Sequence, residues 1–550
     1  MNITTIHKFL FRNKWLLLFV LWQTLWIVVF SFFVADADDR KNLLLYNSLY
    51  VGVLVLVMPF TSDWIRKTAL VLLLIASTGP NLIEWGWFMI DQTILIRNQF
   101  WVVFATNPAE TRGFLSIVTW WQWIVQIVCL GISGCLFLKA WKETESHINY
   151  WFNAGAIVVL LGLTLWRPIR NNVPCIDFYC SFHGYCVDLR KAEQFTTNRQ
   201  NLSNEVRFAG ENSPSTIVVV IGESVGRHHC SLYDYPRPTN PLLTQRRDLV
   251  VYDDVVSPDF MTQVVLQQVL TFANYENPDA RWSEPTLPEL LRAAGWKTWW
   301  YEHYGGRNNT SSTIPTSFTS IARMNTIYEV NGEDEALDEA VLPKLHAVLS
   351  DTTTTRKGVF FHLFGNHFPY KNRYPDRFEH FSDEDICSPY VNQLNARQKS
   401  VINEYDNAVR YNDWVVDSLL NMLVQAEGAN AMLYFPDHGE EMFDYMCYAG
   451  RSFDKITRNL CEIPCIFWQN EAFRQTRSLY INPKVPYCTD DMIHSLLDLF
   501  GVEYQMKDTC RSMFHKGFAP KKRMMAGKEY STLPENNDKP DNNIGMVQEK

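Results

Sequence analysis

The chain lacks a basic surplus. Its 50 Lys and Arg residues stand against 59 Asp and Glu, a formal charge of -9, so it offers no broad cationic face for nucleic acid. None of its 12 cysteines has CxxC spacing, which removes the usual signature of a zinc ribbon or a dithiol redox centre. There is no internal repeat, which excludes a solenoid or repeat array. Charge of either sign is nearly missing from several stretches within residues 15–166 and frequent afterwards. With 550 residues the chain exceeds one ordinary domain, and this unevenness divides it.

Five segments are apolar over about the 20 residues that a bilayer requires: 15–34, a stretch between Lys41 and Asp63, one from Lys67 to about residue 89, one between Arg112 and Lys139, and 148–166. The third carries Gly79-Pro80 and Glu84 and is expected to kink or end early. The first is too long for a cleaved signal peptide, and more spans follow. Lys8, Arg12 and Lys14, then Arg66 and Lys67, then Lys139 and Lys142 mark cytoplasmic ends. An odd number of spans places everything after residue 166 across the membrane. The expected organisation is a transmembrane domain over 1–167, a membrane-surface connector over 168–210, an exported catalytic domain over 211–525 and a disordered tail over 526–550. Ten cysteines lie beyond the last span, from Cys175 to Cys510. An even count in an exported domain reads as disulfides. The close groups Cys175/Cys180/Cys186 and Cys461/Cys465 leave a zinc cluster as the alternative.

In the exported part, apolar runs at 216–221, 298–301, 359–364, 431–435 and 463–468 read as strands. They alternate with helical patterns at 287–294, from Tyr405 to Leu423, and at 490–500. Such alternation implies an α/β domain with a mainly parallel sheet covered on both faces. In open α/β sheets, ligands gather outside the carboxyl ends of the strands. Two runs stop at acidic residues: 216–221 at Gly222-Glu223-Ser224, and 431–435 at Asp437-His438. Oxygen and imidazole donors of this kind suit zinc or a similar divalent ion. Thr262 stands where a helix should begin. A helix N-terminus favours negative charge, and a metal lowers a hydroxyl pKa toward neutrality. Thr262 is therefore either a nucleophile or a plain helix cap.

The motifs GESVGR (222–227), SLYDYPR (231–237), LQQVLTFAN (266–274), GNHFP (365–369) and DHGEE (437–441) occur in this order after five apolar segments. Taken together, the chain resembles the bacterial phosphoethanolamine transferases, membrane enzymes of the alkaline-phosphatase/sulfatase superfamily, and most closely the members that modify the lipopolysaccharide core. The resemblance implies a zinc ion held by Glu223, Thr262, Asp437 and His438, with Thr262 as nucleophile. It implies that His362 and His367 lie near the phosphoryl group or a second metal, where imidazoles serve proton transfer or phosphate contact; as an isolated residue His362 reads equally as strand packing. It implies phosphatidylethanolamine as donor, lipopolysaccharide (core heptose or lipid A phosphate) as acceptor, and an inner-membrane, multi-pass location with the catalytic domain in the periplasm. Asn107 and Glu110, in the second periplasmic loop, are candidates for the donor's ammonium group or else ordinary loop residues. The chain departs from the family at Asp234, where Gly is usual, and at Asn459, in the region where the family commonly has a further His. Two rival readings share these residues: a related glycerophosphate transferase or phosphohydrolase, and a non-catalytic membrane sensor or assembly partner.

Overall fold

The structure, a computed structural model, describes residues 13–31, 37–57, 63–80, 82–83, 85–86, 118–142, 150–197, 205–211, 213, 215–302, 326–330, 337–451 and 456–534. The chain divides into two compact units, one helical and made mostly of the first 188 residues, the other α/β.

In the helical unit, α1 (Lys14–Ser31), α2 (Ala37–Val57), α3 (Asp63–Leu73), α4 (Trp120–Trp141) and α5 (Tyr150–Leu165) each overlap a predicted apolar segment. Among the described residues, α4 is the one helix long and apolar enough to cross a membrane. Its outward side exposes Ile127, Leu130 and Leu138. The inward residues Leu16, Phe19, Val20, Leu54, Leu70 and Ala140 form a small core, and Trp22 Nε1 donates to Ser133 Oγ at 2.9 Å. α3 gives way to a π turn at Leu74–Thr78. Pro80 supplies the reason, because its ring excludes the carbonyl four residues earlier. The Lys139 ammonium lies 4.0 Å from the Trp15 ring centre and Lys67 lies 5.5 Å from that of Trp141, so residues from three of the basic ends sit together.

Much of the expected connector over 168–210 is helix. Residues 168–197 are helical, as α6 (Arg167–Asn172) and α7 (Pro174–Thr197). Extended Val173 separates them, and Pro174 starts α7, where its missing N–H costs nothing. Polar and apolar residues mix around α7, so periodicity did not announce it.

The α/β unit is built on a seven-stranded sheet. Its strands are β1 (Ser215–Gly222), β2 (Val250–Val251), β3 (Lys297–Glu302), β4 (Ile327–Val330), β5 (Arg356–His362), β6 (Ala429–Pro436) and β7 (Ile466–Gln469), in the order β2-β7-β6-β1-β5-β3-β4. The five strands from β6 to β4 pair in parallel, whereas β7 and β2 add antiparallel pairs at one side. The sheet is therefore mixed. Central β1 is buried along its whole length, as a parallel strand covered on both faces must be. Alternation sends Ile217, Val219 and Ile221 to one face, against α8 (Thr262–Val269), α9 (Leu287–Ala293) and, further along the chain, the helix Met492–Phe500. Val218 and Val220 face α10 (Val341–Leu349) and α11 (Ala396–Gln425). The Tyr405–Leu423 stripe belongs to α11.

No disulfide is present among the described residues, where eleven cysteines stand unpaired. Cys230 and Cys461 donate to the carbonyls of Gly226 and Arg458 at 3.4 and 3.3 Å, behaving as small buried residues rather than half-cystines. The ordered chain also runs past residue 526: Met524–Met525 pairs with Lys528–Glu529, and the Tyr530 hydroxyl is hydrogen-bonded to Glu462. The remainder of the expected tail, from residue 535, lies outside the described residues.

Candidate metal and phosphoryl-transfer site

β1 and β6 are adjacent and parallel, with Gly222 opposite Pro436. The next residue on each strand, Glu223 and Asp437, therefore leaves the sheet at the same level. Asp437 N donates to Gly222 O at 3.0 Å. Asp437 Oδ1 accepts from Ser224 N at 3.1 Å and His438 N at 2.8 Å. Ser224 takes a left-handed conformation, φ 57°, which turns the chain sharply after Glu223; such backbone strain persists where surrounding bonds hold it. Here those bonds include Tyr405, whose hydroxyl donates to Ser224 O at 2.7 Å and accepts from Gly226 N at 2.9 Å.

α8 begins at Thr262, with Met261 in the capping position. The Thr262 hydroxyl does not cap the helix. It donates to Glu223 Oε2 at 3.0 Å and lies 3.5 Å from His438 Nε2. Nε2 is also 3.3 Å from both Glu223 Oε1 and Asp437 Oδ2. Glu223, Asp437 and His438 thus offer ligand atoms within 4.8 Å of one another, all buried. The four residues expected to ligate one ion are brought together.

The donor set fits zinc. One imidazole, two carboxylates and a hydroxyl are hard-to-borderline ligands in a number zinc accepts. Asp437 Oδ2 is buried and accepts no hydrogen bond, an arrangement that is costly unless a cation faces it. His438 Nδ1 lies 2.7 Å from Gly439 O; the ring must donate there, which leaves Nε2 to face the cluster. Burial and the Glu223 charge push the Asp437 carboxyl up to about 7. Burial would raise Glu223 too, but the hydrogen bond and charge of His438 hold it well below the usual range.

His367 stands beside this cluster. Burial pushes it down to about 4, against the pull of Glu223, and its Nδ1 is 2.8 Å from Phe368 O. His362 ends β5, fully buried, with Nδ1 3.7 Å from Glu302 Oε1. The loop after β5 passes close to Glu223: Asn366 N donates to Glu223 O at 2.8 Å. Gly365 permits this approach, since at φ 50° a Cβ would lie 2.6 Å from Glu223 O. Asn107 and Glu110 lie outside the described residues.

Three participants escaped the sequence reading. Arg451 Nη1 lies 2.7 Å from His438 Nε2 and donates to Phe260 O at 3.0 Å. Glu440, buried, sits 3.8 Å from Arg451 Nε. Glu441 Oε2 accepts from Thr457 Oγ1 at 2.8 Å and Asn459 Nδ2 at 3.1 Å, so the residue in the region of the family's extra His is tied to a carboxylate behind the cluster. Glu440 and Glu441 fall within the DHGEE motif without a role assigned there, and no local pattern marks Arg451, because its partners are set by the loop's path.

An acid-bearing pair of parallel strand ends with a hydroxyl at a helix start defines a sulfatase-type α/β domain, and the Sulfatase family signature matches residues 215–502. Phosphoethanolamine transferase EptC of Escherichia coli (strain K12) is 30% identical over 478 residues, covering 79% of this chain and 81% of its own. Phosphoethanolamine transferase CptA of Salmonella typhimurium is 28% identical over 91% of this chain and 92% of its own. The crystal structure of the C-terminal periplasmic domain of E. coli EptC in complex with Zn is 33% identical, with TM-score 0.55, over 60% of this chain and 97% of that one. The chain belongs to the phosphoethanolamine transferases of the sulfatase superfamily.

Proposed function

We propose that this protein is a zinc-dependent transferase of the bacterial inner membrane, moving phosphoethanolamine from phosphatidylethanolamine to lipopolysaccharide through a covalent intermediate on Thr262. The observation that carries the reading is the convergence of Thr262 Oγ1, Glu223, Asp437 and His438 at the ends of β1, β6 and the start of α8. The zinc-bound EptC relative supports the choice of metal, and its periplasmic domain supports the location. Helices that overlap the predicted spans, with exposed leucine and isoleucine along α4, support a multi-pass membrane part.

Zinc, held by Glu223, Asp437, His438 and Thr262, supplies Lewis acidity and a lowered hydroxyl pKa. Thr262 Oγ1 attacks the donor phosphorus, an Oγ1–P bond forms, and the P–O bond to diacylglycerol breaks. The hydroxyl proton faces Glu223 Oε2. The α8 N-terminus adds fixed positive potential beside the phosphoryl oxygens. The leaving diacylglycerol oxygen takes its proton from a water, and His367, neutral with its Nδ1–H committed to Phe368 O, is assigned to hold that water through Nε2; His362 with Glu302 forms the wall behind. In the second half, an acceptor oxygen on core heptose or on a lipid A phosphate takes the group and Thr262 is regenerated. Asn107 and Glu110 are assigned to the donor ammonium.

The test is intact-mass analysis of protein incubated with phosphatidylethanolamine, followed by mass spectrometry of lipopolysaccharide from cells with and without the gene. A phosphoethanolamine adduct on Thr262 and the same added mass on lipopolysaccharide are expected. A glycerophosphate adduct would instead identify the related transferase, and no adduct with no bound zinc would identify a non-catalytic relative.

A further inference from the structure

We propose that Arg451 is a metal-released phosphoryl clamp: it rests on His438 Nε2 and turns to the substrate phosphate when an ion takes that nitrogen. The inference rests on the zinc reading of the site and adds a role for a residue outside the ligand set.

Nε2 carries the conflict. His438 commits Nδ1–H to Gly439 O. A protonated ring would add Nε2–H, which the Asp437 and Glu223 carboxylates at 3.3 Å would welcome. It would also set two N–H groups face to face, because Arg451 Nη1 is only 2.7 Å away. A neutral ring resolves this, with its single Nε2 lone pair accepting from the guanidinium. Zinc binds histidine nitrogen at about 2.0–2.1 Å along that same lone pair. One lone pair cannot serve a guanidinium N–H and a metal at once, so metal binding must displace Nη1.

The displaced group stays nearby. Nη1 also donates to Phe260 O, two residues before Thr262. Glu440 Oε1, 3.8 Å from Nε, holds the other side of the head. Arginine has five donors in a planar fork, and among the described residues the hydrogen bond to Phe260 and the ion pair with Glu440 leave several N–H groups unspent. They sit at the entrance of the helix that carries the nucleophile. A guanidinium there matches two oxygens of a phosphoryl group bidentately. The same charge opposes the negative charge gathered as Thr262 attacks.

The experiment uses full-length protein in detergent, with Arg451→Gln and Arg451→Lys. Zinc affinity is measured by competition with a chromophoric chelator, and inorganic phosphate binding to the zinc-loaded protein by calorimetry. Arg451→Gln should bind zinc about tenfold more tightly, since no charged hydrogen bond is lost on loading, and bind phosphate at least about tenfold more weakly. Arg451→Lys, which keeps the charge but not the fork, should fall between wild type and Arg451→Gln for phosphate. Zinc affinity that is unchanged or weaker in Arg451→Gln overturns the displacement. Phosphate binding within about twofold of wild type in both variants overturns the clamp. Wild-type protein that takes up no zinc removes the metal reading itself, and this inference with it; zinc uptake by wild type with equal behaviour of the variants removes only the role of Arg451.

Discussion

Gly222 and Pro436 are register partners on adjacent parallel strands, and this one pairing sets Glu223 beside Asp437. The candidate metal cluster is thus a consequence of sheet register. A slip of one residue would turn one carboxylate to the opposite face.

The nucleophile is the first point to test. Thr262→Ala should lower transfer on the order of 10³-fold or more and leave no phosphoethanolamine adduct by mass spectrometry. The thermal transition should shift little, because the side chain does not cap α8. Thr262→Ser keeps the hydroxyl and should retain measurable activity.

Purified protein should contain roughly one zinc per chain by elemental analysis. Dialysis against a strong chelator should abolish transfer, and added zinc should restore it. Manganese or magnesium in its place would revise the metal while leaving the ligands as assigned.

Gly365→Ala should damage the site without touching a ligand. The new Cβ would fall 2.6 Å from Glu223 O and 2.8 Å from Glu223 N, at φ 50°. A strain of about 1–3 kcal/mol should lower thermal stability, and displacement of Glu223 should weaken zinc binding in the chelator assay.

A buried ion network away from the metal cluster gives a pH prediction. His229 Nδ1 is 2.5 Å from Asp406 and Nε2 3.1 Å from Asp444; Arg237 and Tyr235 share Asp406. Burial opposes the charged ring, but Asp444 and Asp406 raise His229 to about 10. A pKa raised on folding stabilises fully below the unfolded value of about 6.5 and is lost as pH rises toward 10, at up to about 1.4 kcal/mol per pH unit. His229→Gln should flatten that slope in denaturant titrations between pH 6.5 and 10. An unchanged slope would assign it elsewhere.

A truncated chain beginning at residue 205 should transfer from phosphatidylethanolamine far more slowly than the whole protein, because the donor's acyl chains stay in the bilayer and positioning is lost. It should still cleave a small soluble phosphoethanolamine ester. Glu110→Gln in the whole protein should raise KM for the lipid donor. Equal lipid-transfer rates for truncated and whole protein would refute the positioning role.

The candidate ligands Glu223, Asp437 and His438 could be picked out together because apolar runs stop at acidic residues, and that signal is local. The five main strands were legible as apolar runs, whereas β2, with two residues, is too short to show alternation, and β4 (Ile327–Val330) carries Glu329 within its run. Helix α7 hid because polar residues interrupt every apolar face. Arg451 could not be found, since its contact with His438 depends on a loop that returns across thirteen residues. The His229–Asp406 pair, 177 residues apart, is likewise a product of the fold. The even number of exported cysteines raised an expectation of disulfides that the described residues do not show, since parity carries no geometry.

Glu441 grips the chain twice. One oxygen accepts from the amides of Asp444, Tyr445 and Met446, the other from Thr457 and Asn459. Met446 and Thr457 are therefore moored to a single carboxylate that follows Asp437 and His438 closely in the chain, and between them Arg451 touches His438 itself. One side chain that binds neither substrate nor ion thus acts as a rivet for the whole rim: its loss would release several backbone amides and two side chains at once, and with them the seat of the arginine.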